Sequence, residues 1–343
     1  MQTLQLNSIA QTLNATGVKR VEPIQSLWGG YGELVRVYLH GGQHQSVIVK
    51  QIKFPQPTHH PRGWATDLSH QRKLKSYQVE AYWYQHYANT CRANNRVPKC
   101  LWLSASSTLN HMTGNKTEIN SDEMLLVLED LAQLGFSVVN SHSSPSIIQA
   151  CLTWLAHFHA QFMQHSAEGL WPIGTYWHLA TRPDEFKALA DSRLKQAASA
   201  LDERLNTCRY QTLVHGDAKL ANFCFTPDAS KAAAVDFQYI GRGCGMKDVA
   251  YFLSSVLTFN APVSQTNTLV EYYLAYYFAT LKQSLKQQQP SIDANALIQT
   301  WRPLFSIAWA DFHRFIKGWS PEHPKINAYS EALTAQALKQ LNE

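Results

Sequence analysis

The spacing of apolar residues changes along the chain, and this change predicts two kinds of secondary structure. In the first third, apolar and polar residues alternate, which is typical of strands. A helical period between residues 71 and 92 predicts one helix among these strands. The first 25 residues predict a short helix that ends in a turn at Glu22 and Pro23. The predicted strands are 34–39, 45–54, 100–104 and 124–128.

After Asp130 the pattern becomes mostly helical. Amphipathic stretches predict helices over residues 146–165 and 184–207, and most of the C-terminal region follows the same period. The sequence therefore predicts an α+β protein, with a small strand-rich N-terminal lobe (residues 1–131) and a larger, mainly helical C-terminal lobe (residues 132–343). Three short apolar segments predict strands within the second lobe, at 212–215, 223–225 and 232–236.

Composition limits the classes of function. Of the 343 residues, 45% are hydrophobic and 16% are charged, which predicts a folded protein with a large core. The net charge of +5 is spread along the chain, which argues against a dedicated nucleic-acid binder. We expect no leader peptide and no membrane span, because no apolar run approaches the roughly 18 residues that cross a bilayer. Six cysteines without CxxC spacing predict free thiols, so we expect a cytoplasmic enzyme with no evident protein partner.

The strongest chemical signal lies among the short strands of the second lobe. One strand leads into His215, Gly216 and Asp217, Asn222 follows five residues after Asp217, and Asp236 follows a later strand. Phosphoryl transfer depends mainly on positioning and charge neutralisation. Asp217 can accept the proton of an attacking hydroxyl, while Asn222 and Asp236 offer the oxygen ligands that Mg²⁺ prefers. An ordinary turn and a strand-end cap are the alternative, but the order and spacing favour the catalytic interpretation.

The N-terminal lobe contains candidates for nucleotide binding. Lys50 comes at the end of an apolar strand, where its ammonium group could reach the α- and β-phosphates of ATP. Glu80 on the following helix could pair with it. Lys53 is a competing candidate, but its odd offset from Lys50 places the two lysines on opposite faces of the strand. For Lys50 and Glu80, a solvated surface position is the alternative.

Two main-chain features extend the predicted nucleotide site. Gly29, Gly30 and Gly32 could form a turn over the phosphates, because glycine lets backbone N–H groups approach phosphate oxygens. The alternative is an ordinary tight turn. The backbone of Glu129 and Leu131, at the lobe boundary, could contact an adenine edge; the alternative is a buried strand with an acidic end.

On these motifs the chain resembles the superfamily of aminoglycoside phosphotransferases and choline kinases, and within it most closely the ecdysteroid-kinase-like branch. That superfamily shares an H-G-D-x-x-x-x-N loop and a later metal-binding Asp on a bilobal protein-kinase-like fold. The resemblance implies that Asp217 is the catalytic base and that Asn222 and Asp236 bind the metal. It also implies that Lys50 binds phosphates and that Asp248 braces the catalytic loop. The segments that carry the resemblance are 128–131, 154–160, 169–177, 215–222, 235–238 and 247–253.

The sequence thus predicts an ATP- and Mg²⁺-dependent transfer of the γ-phosphoryl group to a small-molecule alcohol. Lys219 could steady the transferring phosphoryl group or face solvent, and His159 is expected to be a packed histidine that supports the catalytic loop. The alternative is a pseudo-enzyme that binds nucleotide as a scaffold or sensor, which the intact Asp217, Asn222 and Asp236 disfavour. A protein kinase is disfavoured because His-Gly replaces His-Arg and no Ala-Pro-Glu sequence follows Asp236.

Aromatic residues near the C-terminus recur at a spacing that places most of them on one helix face. This period is first of all typical of a core, but an acceptor beside Asp217 also needs a wall from this region. Because acidic residues are sparse after residue 250, we expect a neutral or singly charged, partly apolar acceptor rather than a polycationic aminoglycoside. The aromatic residues are Trp301, Phe305, Trp309, Phe312, Phe315 and Trp319.

Overall fold

The structure is a computed structural model, and it describes residues 3–53, 67–104, 123–140 and 142–343. The sequence predicts a loop over residues 55–70, which are rich in proline and histidine, and a hairpin loop over residues 105–123, which are rich in serine, threonine and asparagine. Most of the first loop and nearly all of the second lie outside the described residues. The chain forms two compact units, of which the first comprises residues 1–90 and 97–137 and the second comprises residues 91–96 and 138–343. The sequence places the boundary a few residues earlier, at 131, and the roles assigned to the two lobes stay predictions.

The described residues of the first unit form one antiparallel five-stranded sheet and two α-helices. The strands are β1 (Gly17–Ser26), β2 (Gly32–His40), β3 (Ser46–Lys53), β4 (Cys100–Ser104) and β5 (Glu123–Glu129), and the helices are α1 (Thr3–Thr12) and α2 (Asp67–His86). The strand order in the sheet is β1-β2-β3-β5-β4. In the sequence, Gly41 and Gly42 predict a hairpin turn between these two strands. Both glycines adopt positive φ angles between β2 and β3, which confirms the turn.

Both faces of this sheet are covered. Val47 and Val49 of β3 pack in a buried cluster that includes Ile9 of α1. Because side chains alternate along a strand, Lys50 and Ile52 lie on the opposite face. Ile52 packs there against Tyr77 of α2. This alternation directs Lys50 towards α2, which also carries Glu80.

The predicted turn at Glu22 and Pro23 is wrong, since both residues lie within β1. β1 is an edge strand of the sheet, and proline is tolerated there because a missing N–H costs no central ladder bond. The pairing register of β1 shifts between Pro23 and Gln25. The proline therefore marks an irregularity of the edge strand and not its end.

The second unit is mainly helical, with two small antiparallel sheets. β6 (Thr212–Val214) pairs with β9 (Gly241–Gly243), and β7 (Phe223–Phe225) pairs with β8 (Ala232–Ala234). The helices are α3 (Pro145–Gln161), α4 (Pro183–Ala188), α5 (Ser192–Asn206), α6 (Met246–Val256), α7 (Val263–Gln288), α8 (Ala294–Trp301), α9 (Leu304–Trp319) and α10 (Ala328–Gln340).

Two sequence predictions for this unit need correction. The helix predicted over residues 184–207 is two helices, because Asp191 caps a new helix start by accepting a hydrogen bond from the Leu194 N–H at 3.2 Å. Strand β9 carries no apolar alternation and is therefore absent from the predicted strands. The α+β fold class itself is confirmed. Within the described ranges, no helix is long and apolar enough to cross a membrane.

Candidate active site

The loop after β6 contains the predicted catalytic residues, and its path depends on a glycine. Gly216 has a φ angle of 80°, which favours glycine. A Cβ atom at this position would lie 2.1 Å from the carbonyl oxygen of Tyr239. Both the backbone angle and the close approach therefore require glycine between His215 and Asp217.

Asp248, in the first turn of α6, holds this loop by its backbone. Its Oδ2 atom accepts the His215 N–H at 2.6 Å, and its Oδ1 atom accepts the Gly216 N–H at 2.9 Å. The Nε2 atom of His159 lies 3.1 Å from Asp248 Oδ2, and its Nδ1 atom lies 2.7 Å from the Tyr277 hydroxyl. Both expectations are confirmed: Asp248 braces the loop, and His159 is a packed histidine that supports it.

The Asp248→Asn variant should be less stable than the wild type. The amide that replaces the carboxylate would turn its NH₂ group towards one of the two backbone N–H donors, so a buried donor would lose its acceptor. We expect the free energy of unfolding to fall by about 1–3 kcal/mol, measured by urea denaturation. Asp293→Asn is the matched control, because Asp293 caps α8 at the surface and asparagine caps helices equally well. Equal stability of the two variants would contradict the bracing role.

Asp217 is buried, with 6% of its surface exposed, and its carboxylate accepts three hydrogen bonds. Its Oδ2 atom accepts from Lys219 Nζ at 3.0 Å and from Asn222 Nδ2 at 3.1 Å. Its Oδ1 atom accepts from the Tyr251 hydroxyl at 3.2 Å. All three partners donate to the carboxylate, which fixes its orientation. A carboxylate offers about four acceptor positions, so one remains for a substrate hydroxyl.

Two of these donors are held in their protonated forms. Burial lowers the pKa of Lys219, but the charge and hydrogen bond of Asp217 outweigh this, so that pKa lies above its usual value. Burial raises the pKa of Tyr251 well above its usual value, and the neighbouring Tyr176 and Asp217 raise it further. Tyr251 was not among the predicted site residues. A signal existed, because Tyr251 lies three residues after Asp248 and so on the same face of α6.

A backbone hydrogen bond between Asn222 and Val235 brings Asp236 close to Asn222 in the fold. The Nδ2 atom of Asn222 donates to the carbonyl oxygen of Asp217 at 2.8 Å and also to its carboxylate, which leaves the amide oxygen for another partner. The Val235 N–H donates to the Asn222 carbonyl at 3.0 Å, so Asp236 follows directly. Asp236 has a φ angle of 66° and accepts a 2.7 Å hydrogen bond from Gln238. Aspartate tolerates this left-handed conformation better than most residues.

Lys50 and Glu80 form a buried ion pair in the first unit. Lys50 Nζ lies 2.9 Å and 2.7 Å from the two carboxylate oxygens of Glu80. The side chains are 7% and 2% exposed, so the solvated alternative is wrong for both residues. Lys53 is exposed on the other face of β3, as its odd offset predicts. Of the two lysines, Lys50 therefore remains the candidate for phosphate binding.

The residues Gly29, Gly30 and Gly32, which we call the glycine turn, extend from the segment after β1 to the first residue of β2. All three glycines have positive φ angles. A Cβ atom on Gly32 would lie 2.0 Å from the carbonyl oxygen of Gln51. The close approach to β3 is therefore enough to require glycine at this position, without any contact to a phosphate. The turn thus lies directly beside the strand that carries Lys50. Its predicted contact with phosphates stays a prediction.

The end of β5 distinguishes the two predicted adenine contacts. The Glu129 N–H already donates to the Lys99 carbonyl at 3.0 Å, and the Glu129 side chain accepts the Lys99 N–H at 2.9 Å. Leu131 begins a 3₁₀ turn that Asp130 caps, so its own N–H has no acceptor within that turn. The two residues thus differ in whether the backbone N–H already has an acceptor, and their contact with an adenine edge stays a prediction.

The C-terminal aromatic residues divide into two groups. Phe312 and Phe315 join a cluster with Tyr251 and Trp177, and Trp319 packs against it, so these rings lie beside the residue that contacts Asp217. The others are core residues that face elsewhere, and they are Trp301, Phe305 and Trp309. Phe312 and Phe315 are themselves buried, so the core interpretation is confirmed for both groups, and a role of the first group in binding an acceptor stays a prediction.

The comparison with known families decides the class of this chain. A profile of the phosphotransferase enzyme family, APH, matches residues 24–285. The chain belongs to the phosphotransferase enzyme family. The predicted superfamily is therefore confirmed, although the match does not specify the ecdysteroid-kinase-like branch. No curated protein sequence matches the chain.

Solved structures confirm the kinase-like fold of this phosphotransferase. An amicoumacin kinase, solved in complex with AMP-PNP, Ca²⁺ and Ami, is 14% identical, with a TM-score of 0.52 over 99% of this chain and 92% of that one. A Thermobifida fusca protein with a provisional assignment as a fructosamine-3-kinase is also 14% identical, with a TM-score of 0.50 over 100% of both chains. At such identities the similarity establishes the fold alone.

Proposed function

We propose that this phosphotransferase transfers the γ-phosphoryl group of ATP to a hydroxyl group of a small molecule and requires Mg²⁺. The observation that carries this proposal is the environment of Asp217. Its buried carboxylate is fixed by three donors and retains an acceptor position. Since phosphoryl transfer depends on positioning and charge neutralisation, a fixed carboxylate that orients the attacking hydroxyl is the contribution the protein must supply.

In the proposed reaction, the acceptor hydroxyl donates a hydrogen bond to Asp217. As its oxygen forms a bond to the γ-phosphorus, the bond from phosphorus to the bridging oxygen breaks and ADP leaves with that electron pair. The hydroxyl proton passes to the Asp217 carboxylate. Tyr251 and Asn222 keep the carboxylate in place, and the ammonium group of Lys219 offsets negative charge on the transferring phosphoryl group.

Asn222 and Asp236 fit the proposed Mg²⁺ ion by the chemistry of their donor atoms. Asn222 uses its amide nitrogen for both hydrogen bonds to Asp217, so its amide oxygen can serve as a metal ligand. Asp236 supplies a carboxylate. Mg²⁺ is commonly bound by one or two protein oxygens together with waters and substrate phosphates. When bound, the ion supplies positive charge that offsets the charge of the phosphates.

For the nucleotide, we propose that Lys50 binds the α- and β-phosphates and that Glu80 positions it. Both carboxylate oxygens of Glu80 accept from Lys50 Nζ, which restricts the direction of the ammonium group. The glycine turn is proposed to cover the phosphates, and Leu131 to contact the adenine edge, with Glu129 limited to its carbonyl oxygen. The amicoumacin kinase of the same fold binds AMP-PNP and Ca²⁺, which supports a nucleotide and a divalent cation here.

Lys50→Met should weaken nucleotide binding, because methionine keeps much of the buried packing and removes the charge. We expect the Kd for Mg–AMP-PNP to rise about 10-fold or more, measured by isothermal titration calorimetry. Lys53→Met is the matched control on the opposite face of β3 and should bind as the wild type does. The double variant Lys50→Met/Glu80→Gln removes both buried charges, so it separates lost binding from misfolding. Unchanged affinity in a folded double variant would contradict the role of Lys50.

The acceptor is proposed to be a neutral or singly charged, partly apolar hydroxyl compound and not an aminoglycoside. The test is an ADP-release assay with panels of aminoglycosides, apolar alcohols, quaternary-ammonium alcohols and generic protein substrates, in which Asp217→Asn serves as the blank. ADP release that needs both a small alcohol and Asp217 supports the proposal. Efficient turnover confined to aminoglycosides would contradict the acceptor class. Nucleotide binding without any acceptor-dependent release would favour the nucleotide-binding pseudo-enzyme.

We also propose a cytoplasmic enzyme that acts without a nucleic-acid, membrane or protein partner. The six cysteines have no CxxC spacing, which supports a reducing compartment. Fractionation of cells that produce the chain with an epitope tag tests this localisation.

A further inference from the structure

A lysine that belongs to none of the recognised motifs lies beside the catalytic carboxylate. Lys325 is in the loop between α9 and α10, and its Nζ atom lies 4.6 Å from the centre of the Tyr251 ring. The hydroxyl of that same tyrosine donates to Asp217. Lys325 Nζ also lies 5.0 Å from the centre of the Phe312 ring and donates to Ser254 Oγ at 3.2 Å. Lys325 and the catalytic base therefore share one aromatic wall.

The backbone around Lys325 is fixed by hydrogen bonds, so the position of its side chain is built into the loop. The Lys325 N–H donates to His323 Nδ1 at 3.1 Å. Its carbonyl oxygen accepts from Ser330 Oγ at 2.8 Å and from Asn327 Nδ2 at 3.3 Å. Ser330 in turn accepts from the buried indole N–H of Trp309 at 3.1 Å. An anchored loop of this kind presents the amine in a constant direction.

The positive charge of Lys325 is poorly compensated by the protein. In the part of the chain that the structure describes, no carboxylate oxygen lies within 4.0 Å of Lys325 Nζ, the distance that an ion pair requires. Burial lowers the pKa of Lys325 to about 7, since the more distant charge of Asp217 opposes this only in part and Lys219 adds to it. Because the amine is only partly protonated near neutral pH, an anion that approached it would favour the protonated form and be stabilised by that form.

The acidic side chains of the C-terminal region do not supply such an anion, because several of them are already paired. Asp311 is buried and is also bonded to the indole of Trp177. The pairs are Asp311 with Arg314, Glu331 with Lys317, and Glu271 with Arg302. The nearest carboxylate that acts on Lys325 is thus Asp217 itself, which the reaction requires as a base.

The ring faces near the base are occupied by this lysine. A cationic acceptor could have been held over the face of Tyr251 or Phe312. Lys325 already takes that position, and a second cation would meet a like charge there. The same wall therefore disfavours a cationic acceptor and favours an anionic one.

We propose that Lys325 determines acceptor specificity by binding a carboxylate group of the acceptor. The acceptor is then a hydroxy acid, whose hydroxyl reaches Asp217 while its carboxylate meets Lys325. This inference rests on the proposed function and narrows its substrate class. The phosphoryl transfer itself is unchanged: the hydroxyl oxygen becomes the phosphate ester, and ADP and a proton are released.

The test compares three alcohols with one skeleton and different charges: para-(hydroxymethyl)benzoate, para-(hydroxymethyl)benzamide and para-(aminomethyl)benzyl alcohol. Binding is followed by tryptophan fluorescence in the presence of Mg–AMP-PNP, and turnover by ADP release. We expect the wild type to bind the carboxylate most tightly and the amine most weakly. Lys325→Met should raise Kd and KM for the carboxylate about 10- to 100-fold, and change those of the amide and the kcat of either compound little.

Two further variants exclude a merely structural effect. Lys325→Arg keeps the charge and should keep the preference for the carboxylate. Lys339→Met removes an exposed lysine of α10 and should bind all three compounds as the wild type does. If Lys325→Met lowered the affinity for all three compounds equally, the residue would support the fold and not the specificity.

The outcomes for the two proposals are distinguishable. The inference is overturned if the wild type binds the amine as tightly as the carboxylate, or binds no member of the series at millimolar concentration. Asp217-dependent ADP release with other alcohols would still uphold the proposed function in that case. Conversely, a carboxylate preference that Lys325→Met abolishes would stand even if no alcohol gave Asp217-dependent release, and only the proposed function would then fail.

Discussion

The Asp217→Asn variant is expected to lose about 10²- to 10⁴-fold in kcat, while its affinity for nucleotide stays close to that of the wild type. An amide cannot take up the proton of the attacking hydroxyl. Its NH₂ group would also face Lys219 or Tyr251, which donate to the carboxylate in the wild type. The measurement is steady-state ADP release with the best alcohol of the panel, together with calorimetric binding of Mg–AMP-PNP.

Two companion variants make this result specific. Asp228→Asn is the matched control, because Asp228 lies in the exposed turn between β7 and β8 and accepts only local bonds from Thr226 and Ser230. It should keep wild-type kcat. Tyr251→Phe keeps the carboxylate and removes one of its three donors, so it should lower kcat by less than Asp217→Asn does. A wild-type kcat in Asp217→Asn would show that another group acts as the base.

The central site could be predicted because its residues are close together in the sequence. Asp217 and Asn222 are five residues apart in one loop, and a direct contact between their side chains follows from the short turn that joins them. The face of Lys50 followed from strand alternation, and its partner Glu80 lies on the next helix. In each case a local rule, either turn geometry or strand period, determined the contact.

The parts that the sequence missed depend on contacts between distant segments. Lys325 lies more than a hundred residues after Asp217, and no period or motif connects the two. Tyr251 has a local relation to Asp248, but its contact with Asp217 depends on how α6 packs against the loop after β6. Strand β9 is short and glycine-rich, and it is a strand only because it pairs with β6.

The aromatic residues show the limit of periodicity most clearly. A helical period places Phe305, Trp309 and Phe312 on nearby positions of α9, yet only the last of these packs beside Tyr251. Trp309 packs instead against Phe259 and Tyr329. The period predicts that a face is buried, but the neighbouring elements decide whether a given ring belongs to the core or to a binding wall.

The Asp236→Asn variant is expected to weaken the binding of Mg–AMP-PNP about 10-fold or more, which corresponds to about 1.4 kcal/mol or more. Asparagine tolerates the left-handed backbone conformation that Asp236 adopts, so the fold should be kept. It lacks the negative charge of a carboxylate, which is the main attraction that this residue offers to a divalent cation. Asp236→Ala should weaken binding at least as much, because it removes the oxygen donors too.

The decisive measurement is the dependence of affinity on the metal ion. AMP-PNP is titrated by calorimetry with Mg²⁺ present and again with EDTA. The wild type and Asp217→Asn should both gain affinity from Mg²⁺, whereas the Asp236 variants should gain little, and all should bind the metal-free nucleotide alike. The contrast isolates the metal, since Asp217 and Asp236 both follow short strands of the second unit and only one is proposed as a ligand. If Asp236→Ala gained as much affinity from Mg²⁺ as the wild type does, Asp236 would not be a metal ligand. Asn222 would then be the remaining candidate of the two proposed ligands.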